Sequence, residues 1–105
     1  MSYTIERSVQ SLRDIEEAFV YIAEDNLDSA VYFLVAVEDS LEILSAHPMI
    51  GSKRLFENKK LNELRIWRIK GFENYVVVYL PSSENKIVKI LRLLNVKRDF
   101  ELIFD

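Results

Sequence analysis

The first half of the chain carries apolar residues at the spacing of an amphipathic helix. From position 9 onward they recur three and four residues apart, at Val9, Leu12, Ile15, Phe19 and Ile22. One face of a helix repeats with this spacing, so we predict a helix over residues 9–24 whose apolar stripe faces the core. Ser8 precedes the stripe and has the side chain of an N-cap residue.

A second helix is predicted from about Leu27 to Ala46, and Asn26 can cap its start. Its apolar seam alternates spacings of four and three residues, at Ala30, Leu34, Val37, Leu41 and Leu44. Because only two or three residues join the two helices, they should pack antiparallel as a hairpin. Pro48 disfavours helical backbone at the residue before it and so ends the second helix.

The second half of the chain changes to the pattern of β-strands. Three segments alternate in polarity or are rich in β-branched and aromatic residues: Leu64–Lys70, Tyr75–Leu80 and Lys86–Leu94. The connections at 71–74 and 81–85 have the length of hairpin turns, which favours an antiparallel meander. Tyr3 to Arg7 also alternates and predicts a short strand at the start of the chain.

The order of these elements predicts the fold class. It is an α+β domain in which an N-terminal strand and a helical hairpin pack on a small antiparallel sheet, in the order β-α-α-β-β-β. The 105 residues suit a single domain over 1–105. Residues 53–60 are polar and basic and are predicted as a loop, whereas residues 100–105 fit a helix, a strand or a tail.

Composition excludes several classes of site and compartment. The chain has no cysteine, and therefore no disulfide, no thiolate zinc ligand and no cysteine nucleophile. This suits a reducing compartment. The chain also has no signal-peptide core and no apolar run of about 20 residues, so we expect a cytoplasmic protein without a membrane partner.

The net charge of −3 hides an asymmetry between the two halves. Residues 1–52 hold ten acidic and two basic residues, a balance of −8, whereas residues 53–105 hold seven acidic and twelve basic residues, a balance of +5. The acidic half would repel a nucleic acid and the basic half would attract one. Two solvated faces of opposite charge explain the asymmetry equally well.

The common catalytic residue sets are missing from the sequence. His47 is the single histidine, and because it precedes a proline, a role at the helix end is the simpler explanation. Two glycines cannot make a glycine-rich nucleotide loop, and no HExxH, GxSxG or Walker motif is present. The acidic residues of the helices fit solvated helix sides. We therefore expect no catalytic residue, no metal and no cofactor.

A basic and aromatic strand surface remains as candidate chemistry. In a regular strand Arg65, Trp67 and Ile69 share one face, and Arg65 with Trp67 would suit a face that the helices leave uncovered. Such a pair can contact phosphate, stack on bases or anchor a protein interface. The alternative is that Trp67 belongs to the core and that the arginines pair with carboxylates.

The last strand poses the same question at Arg92. Regular alternation places Arg92 on one face with Val88, Ile90 and Leu94. A charged side chain among apolar neighbours is costly unless it is paired. Arg92 is therefore either bonded to a carboxylate or directed into a functional groove.

Four stretches of the chain carry a family likeness: RDIEEAFVYIAEDN, LEILSAHPMIG, ELRIWRIKGFENYVVVYL and IVKILRLLNVKRDF. The most specific matches lie in the last two stretches, at Arg65, Gly71, Phe72, Tyr75, Tyr79, Arg92, Arg98 and Asp99. On these residues, and over nearly its whole length, the chain resembles the RelE/ParE superfamily of bacterial type II toxin–antitoxin toxins, and within it the ParE branch.

The resemblance implies a toxin that a cognate ParD-like antitoxin neutralises. ParE-like members are known as poisons of DNA gyrase, whereas RelE-like members cut mRNA on the ribosome and usually need a Tyr or His near the C-terminus. Relatives commonly have histidine where this chain has Asn95, which cannot transfer protons near neutral pH, and no Tyr or His follows it. This favours a non-enzymatic gyrase inhibitor. The alternatives are an endoribonuclease, which would bind nucleic acid, and a non-toxic interaction module.

Two groups of residues become candidates for binding. Those for contact with the target are Arg65, Trp67, Arg68, Arg92, Asn95, Lys97 and Arg98. Those for contact with the antitoxin are Phe19, Ile22, Leu34 and Val37. We expect the run after Leu94 to present polar and basic side chains at the edge that faces the target.

Overall fold

A computed structural model describes residues 2–53 and 63–99 of the chain. Its elements follow the predicted order with one short additional strand: β1 (Thr4–Arg7), α1 (Val9–Asp25), α2 (Leu27–Ala46), β2 (Ser52–Lys53), β3 (Arg65–Ile69), β4 (Phe72–Ser82) and β5 (Ile87–Asn95). The predicted helices, N-terminal strand and three-stranded meander are confirmed. Most of the predicted loop at 53–60, and all of 100–105, lie outside the described residues.

Both helices begin at the predicted caps. The Ser8 side chain accepts a hydrogen bond from the Ser11 amide, and the Asn26 side chain accepts one from the Ser29 amide. Each bond satisfies an amide that has no partner within its own helix. Asn26 alone separates α1 from α2, so the chain reverses at once into the antiparallel hairpin. In the described part of the chain, neither helix is both long and apolar enough to cross a membrane.

The sheet is mixed, whereas the sequence predicted an antiparallel one. Its strand order is β1-β5-β4-β3-β2. Strands β2 to β5 are antiparallel neighbours, but β1 pairs with β5 in parallel, with Thr4 opposite Ile87 and Arg7 opposite Ile90. The hairpin between β1 and the meander is long enough to allow either direction, and a four-residue strand carries no signal for its neighbour. The predicted α+β class is unaffected.

The main core lies between the hairpin and one face of the sheet, which we call the near face. The helices contribute Ala18, Phe33, Val37, Leu41 and Leu44, and the sheet contributes Ile69, Tyr75, Val77, Tyr79, Val88, Ile90 and Leu93. The Phe33 ring packs against the rings of Phe72 and Tyr75 at centroid distances of 5.3 and 5.0 Å. A second apolar cluster occupies the opposite or far face: Ile66, Val76, Val78 and Leu94.

A bulge in β5 changes the alternation that the sequence predicted. The register with β4 shifts at Leu91, which is an extra residue between paired positions. As a result Ile90 and Leu93 both belong to the core on the near face. Arg92 pairs with Val78, a residue of the far-face cluster. The prediction that Arg92 shares a face with Ile90 is therefore wrong, because a bulge reverses the side-chain alternation after it.

The buried line of α1 also differs from its predicted stripe. Val9 and Leu12 are exposed, and the buried residues of α1 are Ser11, Asp14 and Ala18. This helix lies against β5, whose pairing with β1 ends at Ile90. Small and polar side chains on the buried line allow the helix to approach the strand and to bond to its unpaired backbone groups.

Candidate functional site

Arg65 and Trp67 lie on the near face of the sheet. Trp67 is half-buried and packs against the main core. The Nη1 atom of Arg65 donates hydrogen bonds to the carbonyl oxygens of Met49 and Gly51, at 2.9 and 2.8 Å. The prediction that this pair occupies a face away from the helices is therefore wrong. The far face holds an apolar cluster instead, and Arg65 fastens the segment that follows α2.

Tyr79 holds the same segment from inside the core. Its hydroxyl accepts a hydrogen bond from the Gly51 amide at 2.8 Å and donates one to the Pro48 carbonyl oxygen at 2.8 Å. Burial raises the pKa of the Tyr79 hydroxyl, which keeps the proton in place for this donation. Tyr79 and Arg65 thus act together to fix the turn after α2 against the sheet.

Gly51 leaves no room for a side chain, so Gly51→Ala should be strongly destabilising. A Cβ atom there would lie 2.5 Å from the Tyr79 hydroxyl oxygen and 2.9 Å from the Ile66 carbonyl oxygen. We expect a loss of about 2–3 kcal/mol in the free energy of unfolding, from steric overlap and the disturbed hydrogen bond. Urea denaturation measures the loss.

Gly71→Ala is the matched control for this prediction. Gly71 has φ +86°, which costs alanine about 1 kcal/mol, but within residues 2–53 and 63–99 no atom beyond its chain neighbours lies within 4 Å of a Cβ added there. We therefore expect the smaller loss at Gly71. A larger loss at Gly71 than at Gly51 would contradict the close packing of Gly51 against Tyr79.

Arg92 is bonded to a carboxylate, the first of its two predicted alternatives. Its Nε and Nη2 atoms donate to the two carboxylate oxygens of Asp14, at 2.8 and 3.2 Å. The Leu93 amide donates to the same carboxylate at 3.0 Å. Asp14 is buried, and its carboxylate is the acceptor for a backbone amide on the edge of β5 that β1 leaves unpaired. The prediction that the helix acids are solvated is wrong for Asp14.

Three carboxyl groups of the described chain have a pKa below the usual range. Burial alone would raise the pKa of Asp14, but hydrogen bonds from Arg92, Gln10 and the Leu93 amide outweigh it. Burial is likewise outweighed at Asp99, by hydrogen bonds from Arg98 and the Asn95 amide. The hydrogen bonds from Arg7 are the main cause of the lowered pKa of Glu38. Each group favours its charged form in the folded chain.

These lowered pKa values predict acid sensitivity. The folded chain stabilises the charged form of these three groups more than the unfolded chain does. They therefore contribute fully to stability at pH values above their pKa in the unfolded chain, which is about 4. This contribution is lost as the pH falls further and protons bind. We expect an unfolding free energy that is steady between about pH 5 and 7 and declines below about pH 4. The Asp14→Asn variant should show a shallower decline, and equal slopes for both proteins would contradict the assignment.

Asn95 organises the turn that follows β5. Its side-chain oxygen accepts hydrogen bonds from the amides of Lys97 and Arg98, at 2.9 and 3.1 Å. Its own amide donates to the Asp99 carboxylate at 2.9 Å, and its carbonyl oxygen accepts from the Asp99 amide at 2.7 Å. The side chain at this position therefore shapes the backbone of residues 95–99, which a short amide does well.

Arg98 projects from this turn while its carboxylate partner stays covered. The guanidinium donates from Nε and Nη2 to the two oxygens of Asp99, at 3.1 and 3.0 Å. The Arg98 side chain is 63% exposed, whereas that of Asp99 is 14% exposed. Asp99 thus binds one edge of the guanidinium, through Nε and Nη2, and the rest of the group faces solvent.

An open cleft of about 1160 Å³ begins at this turn. Asn95, Lys97 and Arg98 line one part of it. The turn between α1 and α2 and the β3–β4 turn line the remainder, and they contribute Glu24, Asp25 and Glu73. The end of β5 therefore presents cationic and amide groups to a cleft that also contains carboxylates.

The structure brings together three of the seven candidates for target contact, namely Asn95, Lys97 and Arg98. Arg68 is exposed on β3, where it donates to the Glu73 carbonyl oxygen at 2.7 Å. Arg65 and Arg92 make hydrogen bonds within the chain, and Trp67 packs on the core. The polar run after Leu94 is thus the part of the predicted site that stays grouped and accessible, and Arg68 is exposed apart from it.

The four candidates for antitoxin contact differ in their exposure. Val37 is 1% exposed and belongs to the core, so the prediction of a contact there is wrong for the folded chain. Phe19 and Ile22 are half-buried. Leu34 is 37% exposed, and its neighbour Phe33 takes the core position instead. The helix seam that was predicted from spacing is therefore mostly internal.

Sequence reasoning missed the structural roles of Asp14, Tyr79 and Gly51. Asp14 had a detectable signal, because Ser11, Asp14 and Ala18 follow helical spacing and form a second, small-residue line on α1. Nothing in the local sequence indicates that Gly51 contacts Tyr79, because the two residues are far apart in the chain.

Solved structures share this fold. The toxin–antitoxin complex RelBE2 from Mycobacterium tuberculosis contains a chain with 23% sequence identity and a TM-score of 0.61, and the match covers 90% of this chain and 99% of that one. A chain of the chromosomal ParDE toxin–antitoxin system from P. aeruginosa has 13% identity and a TM-score of 0.69, and the match covers 90% and 96%. At these identities the likeness shows an α+β fold of the RelE/ParE type.

The family follows from the sequence match. The family described as ParE toxin of type II toxin–antitoxin system, parDE, matches residues 5–100. The chain therefore belongs to the ParE toxin family, as its resemblance indicated. No curated protein matches the chain.

Proposed function

We propose that this chain is a toxin that inhibits DNA gyrase by binding to it and that a cognate antitoxin neutralises it. One observation carries the proposal: the accessible turn at the end of β5 presents Lys97 and Arg98 on a backbone that Asn95 fixes. Cations on a fixed turn suit recognition of a carboxylate-bearing or phosphate-bearing surface. The side chains of this turn, Asn95, Lys97 and Arg98, favour a role in binding over a role in proton transfer.

The titratable groups near neutral pH support a binding role. Within residues 2–53 and 63–99, the one histidine is His47, which ends α2 and does not line the cleft at the β5 turn. Tyr79 has its hydroxyl occupied by Pro48 and Gly51, and the Tyr75 side chain is buried. The cleft is also lined by the carboxylates of Glu24, Asp25 and Glu73 and by the exposed Tyr21, but among the described residues it has no imidazole, the side chain best suited to proton transfer near neutral pH.

An antitoxin partner is proposed from the neighbours. The RelBE2 structure is described as a toxin–antitoxin complex, and the ParDE structure as a toxin–antitoxin system. The RelBE2 likeness also keeps the ribonuclease as the second candidate function. Under that alternative, exposed arginines such as Arg68 and Arg98 would hold RNA phosphates.

The two functions predict different damage when expression of the chain is induced in bacteria. Under the proposal, DNA replication stops, and purified gyrase incubated with the chain and a relaxed plasmid loses supercoiling activity or accumulates cleaved plasmid. Under the alternative, translated mRNA is cut within minutes while replication continues. Co-expression of the adjacent antitoxin gene should abolish either effect. Growth without either effect would identify a non-toxic interaction module and contradict the proposal.

A further inference from the structure

The cleft at the β5 turn is lined by charged groups of both signs. Lys97 and Arg98 form its cationic part. Its acidic part consists of Glu24 and Asp25, which are the last two residues of α1, and Glu73 from the β3–β4 turn. All five side chains belong to exposed residues. The two cations alone therefore do not decide what this cleft binds.

The cationic and acidic parts do not neutralise each other. In the described part of the chain, no member of the acidic part is in an ion pair, and Lys97 is in none. Arg98 pairs with Asp99, which is not a member of the acidic part. The Glu73 carboxylate accepts a hydrogen bond from the Gly71 amide at 2.8 Å, which holds it in place without removing its charge. Charges of both signs therefore remain available to a ligand.

Apolar and aromatic side chains line the same cleft. Ile22 and Phe72 are half-buried there, Tyr75 is buried, and Tyr21 is exposed. Such side chains bind a ligand by its apolar groups and exclude water from its polar contacts. The cleft measures about 1160 Å³, whereas small-molecule pockets usually measure about 300–1000 Å³. Its size and its open form suit a segment of a macromolecule.

The mixed charge of the cleft distinguishes between two kinds of macromolecule. A nucleic acid carries negative charge along its whole backbone and is bound by cations that follow that backbone. The described lining of the cleft has two cations, and its acidic part would repel phosphates that pass it. A polypeptide can carry a basic and an acidic residue within a few positions, which complements both parts at once. The cleft therefore favours a polypeptide.

We propose that the cleft at the β5 turn binds a segment of the target protein that carries an acidic, an apolar and a basic residue. Lys97 and Arg98 bind the acidic residue, Glu24 and Asp25 bind the basic one, and the apolar side chain packs beside Phe72. The inference rests on the proposed function in taking this target to be gyrase. It assigns the acidic part of the cleft to target recognition, and it places the contact on the gyrase protein and not on the DNA that gyrase holds.

Removing charge from the acidic part tests the proposal by the sign of the effect. Glu24→Gln with Asp25→Asn keeps the size of both side chains and removes their charge. We expect this variant to bind DNA-free gyrase about tenfold or more weakly than the wild-type chain does, and to inhibit supercoiling less. A ligand of phosphates would give the opposite result, because the loss of repelling carboxylates strengthens its binding. Equal or tighter binding of gyrase by the variant overturns the inference.

The matched control is Glu6→Gln with Glu84→Gln, which removes two exposed carboxylates that do not line the cleft. It changes the net charge of the chain by the same amount, so a general attraction between the chain and gyrase would change equally in both variants. We expect the control to bind and inhibit gyrase as the wild type does. Both variants should unfold close to the wild-type temperature, because all four residues are exposed. An equal loss of gyrase binding in the control would make the effect one of net charge and overturn the inference.

Two synthetic peptides separate the inference from the proposed function if the wild-type chain does not bind gyrase. Both have a central tryptophan; one has aspartate on one side and lysine on the other, and the second has aspartate on both sides. We expect the chain to prefer the mixed peptide by about tenfold, and Glu24→Gln with Asp25→Asn to abolish the preference. In that case the proposed function fails and the specificity of the cleft stands. If gyrase is not bound and the chain shows no such preference, both fail.

Discussion

Replacing Asp14 with alanine should cost about 3 kcal/mol of unfolding free energy. The carboxylate is almost fully buried and accepts hydrogen bonds from the Arg92 guanidinium and the Leu93 amide. Its removal leaves a buried amide without an acceptor and a guanidinium without its counter-charge. Because the Arg92 side chain is 36% exposed, water relieves part of this loss, which keeps the estimate at the lower end for a broken ion pair. Thermal unfolding should shift down by about 10–20 °C.

Two further variants resolve the causes of this loss. Asp14→Asn keeps an acceptor for the Leu93 amide but removes the charge, so it should lose less than Asp14→Ala. Glu17→Ala removes an exposed carboxylate from the same helix and should change stability by no more than about 0.5 kcal/mol. If Asp14→Ala unfolds as Glu17→Ala does, the carboxylate does not hold the edge of β5.

Local signals in the sequence predicted the helices well. Ser8 and Asn26 could be assigned as caps because a cap acts on amides two or three residues away. The meander followed from short connections between segments of strand type. The structure places β3 and β5 close to the predicted residues, whereas β4 extends beyond the predicted Tyr75–Leu80 at both ends. Each of these features depends on residues that are close in sequence.

Contacts across the chain explain what the sequence could not predict. The bulge at Leu91 reverses the alternation of β5, and nothing in the sequence marks the extra residue. Pairing with a carboxylate was one of two alternatives left open for Arg92, and the choice of Asp14 as its partner depends on how α1 lies against β5. Strand alternation shows which residues share a face of a strand, but it does not show which face the helices cover. Arg65 was therefore assigned to an uncovered contact surface.

The candidate site, too, could be predicted from the sequence only in part. The polar run after Leu94 was expected to face outward, and the structure exposes Lys97 and Arg98 beside a cleft. Asn95 was noted for the proton transfer that it cannot perform, and the structure gives it a positive role as the residue that shapes the turn. The resemblance to a family drew attention to these positions, but only the structure separates Arg65 and Arg92, which are partly buried and bonded within the chain, from the exposed Arg68 and Arg98.

Arg98→Ala should remove most of the toxicity while leaving the fold nearly intact. The Arg98 side chain is mostly exposed, so its pair with Asp99 should contribute at most about 1 kcal/mol to stability. Asp99 remains bonded to the Asn95 amide after the substitution, and Asn95 still fixes the turn through the Lys97 amide. At an interface with a target, an arginine can contribute about 2 kcal/mol or more, which corresponds to roughly a thirtyfold loss of affinity.

The test compares Arg98→Ala with Lys89→Ala, which removes an exposed cation from the middle of β5. Growth after induction, thermal unfolding and antitoxin binding are measured for both variants. We expect both to unfold close to the wild-type temperature and to bind antitoxin, and only Arg98→Ala to lose toxicity. The alternative explanation is that the Arg98–Asp99 ion pair stabilises the C-terminal segment. If Arg98→Ala melts many degrees lower while its folded fraction stays fully toxic, Arg98 acts on the fold through Asp99 and does not contact the target.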